Sequence, residues 1–160
     1  MSDEGEHRVT LHRPYRARRS ATSLAVAVLA FIVIANSAEA EPMKIRLTLN
    51  GTALTATLID SETTRDFVSL LPLTLTMNDL FGREKFGHLP RAISGGGKRT
   101  RTYEVGDVIY WPPGPDVAIY YRHDGQPIPS PGIIVIGKMD SGVEALAVPG
   151  SVRLMIELIK

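Results

Sequence analysis

The 160-residue sequence contains no cysteine. This absence excludes disulfides, thiolate nucleophiles, zinc–thiolate sites and iron–sulfur clusters. The chain also lacks an excess of one charge, because 18 lysine and arginine residues stand against 17 aspartate and glutamate residues. A formal charge of +1 argues against a protein that coats nucleic acid, so we expect no nucleic-acid partner.

Metal ligands and catalytic motifs are scarce as well. After residue 40 only His88 and His123 remain among the histidines, and neither has the spacing of a metal site. The segment Gly95–Lys98 departs from a phosphate-binding loop, because Arg99 stands where that loop needs Ser or Thr. A Gly-x-Ser-x-Gly elbow is missing too. We therefore predict no metal and no cofactor, and the catalytic residues stay unknown.

Long apolar runs are missing apart from one near the N-terminus. An uncharged run, Ser20 to Ala38, follows four closely spaced arginines. Its apolar centre, Leu24 to Ala35, is 12 residues long, whereas a membrane-spanning helix needs about 20. Ala38-Glu39-Ala40 then gives the small-x-small pattern that signal peptidase accepts.

This order of basic, apolar and small residues predicts a secretory signal over residues 1–40, cleaved after Ala40. The protein is then expected to be periplasmic or secreted. The alternative is an uncleaved anchor, because the full uncharged run of 19 residues could just span a bilayer. In that case this segment alone would contact the membrane.

The rest of the chain has the pattern of short β-strands. Apolar and polar residues alternate from Met43 to Leu49, which predicts a half-buried strand. Asn50-Gly51 predicts a tight hairpin leading into Thr52–Ile59, because both turn residues tolerate positive φ. Further strands are predicted at 73–77, 86–90, 108–111, 117–121, 133–136 and 151–158, and short helices at 60–71 and 141–147. The fold class is therefore mostly β, with about eight strands in a closed barrel or sandwich.

Several segments of this region resemble the prokaryotic cyclophilin-like domain family: Met43–Leu47, Leu71–Leu75, Val105–Gly114, Ala118–Arg122 and Ile136–Leu146. Gly106-Asp107, followed by Tyr110-Trp111-Pro112-Pro113-Gly114, is the most specific part. The resemblance covers residues 43–158 as one domain. It implies a closed eight-stranded barrel with two short helices.

Cyclophilins themselves are prolyl isomerases, in which a strand-borne arginine works beside a wall of Phe, Met, Gln and Trp. Their Phe-His-Arg strand and Gln-Gly-Gly-Asp stretch do not occur in this sequence. We therefore expect a binding module for a peptide or small ligand in the cell envelope. The alternative is a prolyl isomerase or folding helper acting on exported proteins.

Aromatic residues indicate the candidate binding site. They make up only 6% of the chain, yet five of the ten lie between Tyr103 and Tyr121. Adjacent residues of a strand point to opposite faces, so Tyr110-Trp111 and Tyr120-Tyr121 each present one ring inward and one outward. An arginine beside such rings can bind a peptide or small anion. The candidate ligand-binding residues are Arg122, Tyr120, Tyr110, Trp111 and His123; the alternative is that the rings only cover the core.

We expect the mature protein to begin at Glu41, because Ala38 and Ala40 suit the small pockets of signal peptidase. Mass spectrometry of the protein recovered from the periplasm or medium measures this N-terminus. A full-length product held in the inner membrane would instead favour the anchor.

Overall fold

The computed structural model describes residues 41–160, so the predicted signal segment lies outside the described residues. The elements are, in chain order, β1 (Lys44–Leu49), β2 (Thr52–Leu58), α1 (Glu62–Val68), β3 (Leu73–Leu80), β4 (Glu84–His88), β5 (Arg99–Thr100), β6 (Asp107–Trp111), β7 (Asp116–Tyr120), β8 (Ile133–Met139), a 3-10 turn (Val143–Leu146) and β9 (Val152–Ile159). None of the helices in this range has the length and hydropathy needed to cross a membrane.

Eight of the strands form a closed antiparallel barrel. Their order is β2-β1-β9-β3-β4-β7-β6-β8, and the pairing of β8 with β2 closes the cylinder. The two-residue β5 adds to the free part of β8 through Arg99 and Thr100. Among these strands β9 comes last along the chain, yet it lies between β1 and β3.

The first hairpin forms as its sequence predicts. Lys44–Leu49 pairs with residues 52–57 in antiparallel register around Asn50 and Gly51. These two residues have φ of 49° and 83°, which is the left-handed conformation of a type I′ turn.

One of the two predicted helices is wrong. Ser61 caps α1, because its side chain accepts a hydrogen bond from the backbone N–H of Thr64, but the helix ends at Val68 rather than at residue 71. The segment 141–147 contains only a 3-10 turn of four residues. It follows a left-handed Gly142 and ends before Pro149, which disfavours helical backbone at the preceding residue, so the helical part of the segment stays short.

Two apolar clusters lie on opposite sides of the barrel wall. The larger one fills the interior and includes Phe67, Tyr110 and Leu154. The smaller one covers the outer face of β4, β6, β7 and β8 and is centred on Ile109, Ala118, Tyr120, Ile128 and Ile133. Strands β6, β7 and β8 are therefore apolar on both faces, whereas the inner positions of β4 are Lys85 and Gly87.

One lysine of the barrel is buried and has three hydrogen-bond partners. Lys85 of β4 has no exposed side-chain surface, and its Nζ donates to Asp79 Oδ2 at 2.8 Å and to the carbonyl oxygens of Val148 and Gly150, each at 2.6 Å. The Tyr121 hydroxyl donates to the same Asp79 oxygen at 2.6 Å. Lys85 thus connects Asp79, and with it the β3–β4 turn, to the segment that precedes β9.

Replacing Gly51 by Val should lower the free energy of unfolding by roughly 1 kcal/mol or more, because a β-branched residue resists positive φ. Urea denaturation of the mature protein measures the change. Thr52→Val is the control, since this exposed neighbour lies in extended backbone where Val is favoured. Equal stability of the two variants would contradict the turn.

Candidate functional site

The site lies on the outside of the barrel, where strand alternation turns one set of apolar side chains away from the interior. Along β6, Val108 and Tyr110 belong to the inner cluster, while Ile109 and Trp111 belong to the outer one. Along β7 the outer positions are 116, 118 and 120. The loop that follows β7 brings Ile128 across this face, where its backbone exchanges hydrogen bonds with Arg101.

These outer side chains leave an open cavity of about 240 Å³ between the sheet and the loop. For comparison, an apolar cavity of ~150 Å³ is large enough to hold benzene. Most of its wall is apolar: Leu80, Phe81, Phe86, Ile109, Trp111, Ala118, Tyr120, Ile128, Pro129 and Ile133. Three charged residues complete it, namely Arg83, Glu84 and Asp116.

Arg83 is the central polar residue of one end of the cavity. Its side chain is only 8% exposed, and its Nε donates to Glu84 Oε1 at 3.2 Å. Its Nη1 donates to Asp124 Oδ2 at 3.0 Å and to Oδ1 at 3.3 Å. The guanidinium carbon also lies 5.3 Å from the ring centroid of Phe81 and 5.8 Å from that of Tyr120. The ring centroid of Tyr103 lies 5.5 Å from the same carbon, so two carboxylates and three aromatic rings hold the guanidinium in place.

The two carboxyl groups that bind Arg83 differ in their pKa. Burial raises the pKa of Glu84 above its ordinary value, although the neighbouring Arg83 opposes this effect. Asp124 is stabilised as an anion by hydrogen bonds from the Gln126 backbone N–H and the Tyr103 hydroxyl, and then by Arg83, so its pKa falls to about 2. The pKa values of the two carboxyl groups thus shift in opposite directions, and Asp124 is the one that stays ionised in more acidic solution.

Three stacked rings support this end of the site. The ring of Tyr103 lies 3.9 Å from that of Tyr120 and 4.6 Å from that of His123, with interplanar angles of 20° and 18°. The Tyr103 hydroxyl donates to Asp124 Oδ1 at 2.7 Å. Burial, followed by the negative charge of Glu84, raises the pKa of Tyr120, so its hydroxyl stays protonated.

A second acidic group stands at the other end of the cavity. Asp116 is 8% exposed, and burial raises its pKa. The Nδ1 of His88 contacts its Oδ1 as an ion pair when the histidine is protonated. Glu84 and His88 stand at opposite ends of β4, about 13 Å apart at the usual rise per residue.

The five residues predicted as ligand-binding lie in different surroundings. Tyr120 and Trp111 line the cavity, whereas Tyr110 is 1% exposed and packs inside the barrel. His123 is exposed and stacks on Tyr103 behind the cavity wall. Strand β7 ends before Arg122, whose guanidinium lies 5.9 Å from the centroid of Tyr121 and outside the cavity wall. Their ligand-binding roles stay predictions.

The sequence pattern did not indicate the residues around the β3–β4 turn, above all Phe81, Arg83 and Glu84. The alternating pattern weakens there, because Glu84 and Lys85 are charged and yet buried. The available signal was Phe81-Gly82-Arg83, a glycine turn that places an aromatic residue and an arginine next to a short strand.

Comparison with known proteins identifies the domain. The model of the Cyclophilin-like family matches residues 47–157, which include all the strands that carry the cavity. The chain belongs to the Cyclophilin-like family. The fold is also similar to the solution structure of a hypothetical protein from Archaeoglobus fulgidus, with a TM-score of 0.59 and 22% sequence identity over 72% of this chain and 94% of that one. No curated protein sequence matches the chain.

Metal-binding clusters are missing from this Cyclophilin-like domain within the described range. No three His, Asp or Glu side chains among residues 41–160 lie close enough together to hold an ion. In this family member, the groups that the cavity offers to a ligand are apolar surface, aromatic rings, one guanidinium and two buried carboxyl groups.

The Asp124 contact predicts an acid-dependent stability. A carboxyl with a pKa of about 2 in the folded protein and ~3.9 when unfolded stabilises the fold above pH ~4 and loses this contribution as the pH falls towards 2. The melting temperature of Asp124→Asn should therefore fall less than that of the wild type over this pH range. Glu144→Gln removes an exposed carboxylate far from Arg83 and is the control. Parallel curves for wild type and Asp124→Asn would contradict the contact.

Proposed function

We propose that this Cyclophilin-like family protein is a binding module that takes an apolar group of a peptide or small ligand into the outer cavity. The observation that carries this proposal is an open, largely apolar cavity on the outside of a barrel whose own core is already filled. Cavities of this kind, with a few fixed polar groups, are the usual form of ligand sites.

The geometry of the wall supports binding over a purely structural role for the rings. Trp111 and Phe86 pack against the outer cluster but are only partly buried. Ala118, whose side chain is small, lines the floor of the cavity and leaves space above it. A structure that needed these rings only as a cover would gain free energy by filling the space, because each buried CH₂ contributes about 0.8 kcal/mol. The unfilled volume is therefore consistent with an external occupant.

Binding can be measured through Trp111, because it is the only tryptophan of the chain and lies in the cavity wall. We expect N-acetyl-phenylalaninamide to change its emission saturably. Ala118→Leu, which fills the floor, should weaken this binding about tenfold or more by occupying the same space. Ala53→Leu, the same substitution at an exposed strand position, should bind like the wild type.

Failure of the emission to change at any probe concentration would overturn the proposed function. Arg122→Ala compares the two possible sites. The sequence interpretation predicts weaker binding in this variant, whereas the cavity proposal predicts wild-type binding because Arg122 lies outside the wall.

A prolyl isomerase or folding helper is the second candidate function. The observation that favours it is Arg83, a guanidinium beside Phe81 in an apolar cavity whose wall also includes Phe86 and Trp111. Glu84 and Asp124 already engage that guanidinium, and the sequence motifs of cyclophilins are missing. We therefore expect isomerisation of a proline tetrapeptide at the uncatalysed rate, tens of seconds at 25 °C. An acceleration that Arg83→Lys or Arg122→Ala abolishes would instead make the protein an isomerase.

We also propose that this binding takes place in the cell envelope or outside the cell. The support is the order of arginines, apolar run and Ala38-Glu39-Ala40 within residues 1–40. The ligand would then be an exported peptide or a small molecule of that compartment.

A further inference from the structure

The turn between β3 and β4 contains an unusual residue at its tip. Phe81 has a φ of 56° and Gly82 a φ of 62°, and the Arg83 backbone N–H donates to Leu80 O at 3.1 Å to close the turn. Positive φ is strained for a bulky side chain that carries a Cβ. Phe81 is nevertheless the most exposed of the large apolar side chains in residues 41–160, at 76%.

The first hairpin of the same molecule shows the unstrained solution. Asn50 and Gly51 adopt nearly the same pair of positive φ values, and Asn tolerates this conformation through its short polar side chain. An Asn at position 81 would therefore suit the backbone better and would expose less apolar surface. The folding of the turn does not explain the phenylalanine.

The position of Phe81 at the cavity explains why a phenylalanine occurs in this turn. Its ring belongs to the wall, and the Arg83 guanidinium carbon lies 5.3 Å from the ring centroid. Asp79 fixes the turn from behind, because its Oδ1 accepts a hydrogen bond from the Gly82 N–H at 2.9 Å and its Oδ2 binds the buried Lys85. An exposed ring on a rigid, strained turn at the mouth of an apolar cavity is typical of a residue that contacts a ligand.

The charges around the cavity indicate what the ligand carries. Arg83 is matched by Glu84 and Asp124, and Asp116 adds a further carboxyl at the far end. His88, which faces Asp116, is the other basic group at that end. An anionic ligand would therefore meet carboxyl groups in a wall whose guanidinium is already paired, and the Arg122 guanidinium lies outside that wall, near Gly82. An uncharged group meets mainly apolar wall.

We propose that Phe81 is a specificity-determining residue that covers an uncharged apolar side chain of a peptide bound in the cavity. This inference rests on the proposed binding function and adds the residue and the class of group that is selected. The strain of the turn is maintained because Asn, the better turn residue, would not supply the apolar cover.

The test compares two probes through Trp111 emission: neutral N-acetyl-phenylalaninamide and anionic N-acetyl-phenylalanine, which share the same ring. We expect the wild type to prefer the amide by about fivefold or more, and Phe81→Asn to lose about fivefold in affinity for it. The same variant should melt a few degrees higher than the wild type, because Asn relieves the strain. Phe81→Leu, which keeps an apolar cover, should lose less affinity than Phe81→Asn.

Asn50→Phe is the matched control, because it places the same residue in the same backbone conformation away from the cavity. It should lower the melting temperature and leave amide binding unchanged. Wild-type binding that Phe81→Asn does not weaken would overturn the role of Phe81 while the binding function stands. Equal affinity for both probes would overturn the selection of an uncharged group. Failure of the wild type to bind the amide would overturn the binding function and, with it, this inference.

Discussion

Three neighbouring strands of the barrel, β7, β6 and β8, have to bury apolar side chains on both of their faces. The interior takes one set, as in any closed barrel, and the outer set needs a cover from elsewhere in the chain. The loop after β7 provides part of this cover through Ile128, and Tyr103 provides another part. The cavity is the portion of the outer face that these segments leave open, so its position follows directly from the two-sided apolar sheet.

The polar end of the cavity depends on a different balance. A guanidinium with 8% exposure is tolerated only with good partners, and Arg83 has two carboxylates and three flanking rings. The Tyr103 hydroxyl also donates a hydrogen bond to Asp124, and the ring of Tyr103 stacks on the ring of Tyr120. The ion pair and the aromatic stack therefore hold one another, and a change at either should alter the wall of the cavity.

Sequence patterns predicted the strands that bury one or both faces, because alternation and β-branched runs record burial directly. The β1–β2 hairpin and the buried β8 are examples. Prediction failed where charge and burial coincide, as at Glu84 and Lys85, because a buried charge is stabilised by partners distant in sequence. Alternation could place one ring of each pair, Tyr110-Trp111 and Tyr120-Tyr121, on the outer face without deciding which, so Trp111 and Tyr120 could be selected as candidates only together with Tyr110. Phe81 and Arg83 could not, because their placement depends on Asp79 and Asp124 folding against them.

The central place of β9 has a consequence for the order in which the barrel assembles. This strand pairs with β1 on one side and with β3 on the other. Its pairing with β1 joins residues as far apart as Lys44 and Ile159. Until β9 has been synthesised, β1 and β3 have open edges and the interior stays accessible to water. Closure is thus a long-range event that waits for nearly all of the described chain, because the pairs of β1 with β9 are far apart in sequence. A chain that lacks β9 would therefore leave the facing edges of β1 and β3 without a partner, and the barrel could not close from its N-terminal strands alone.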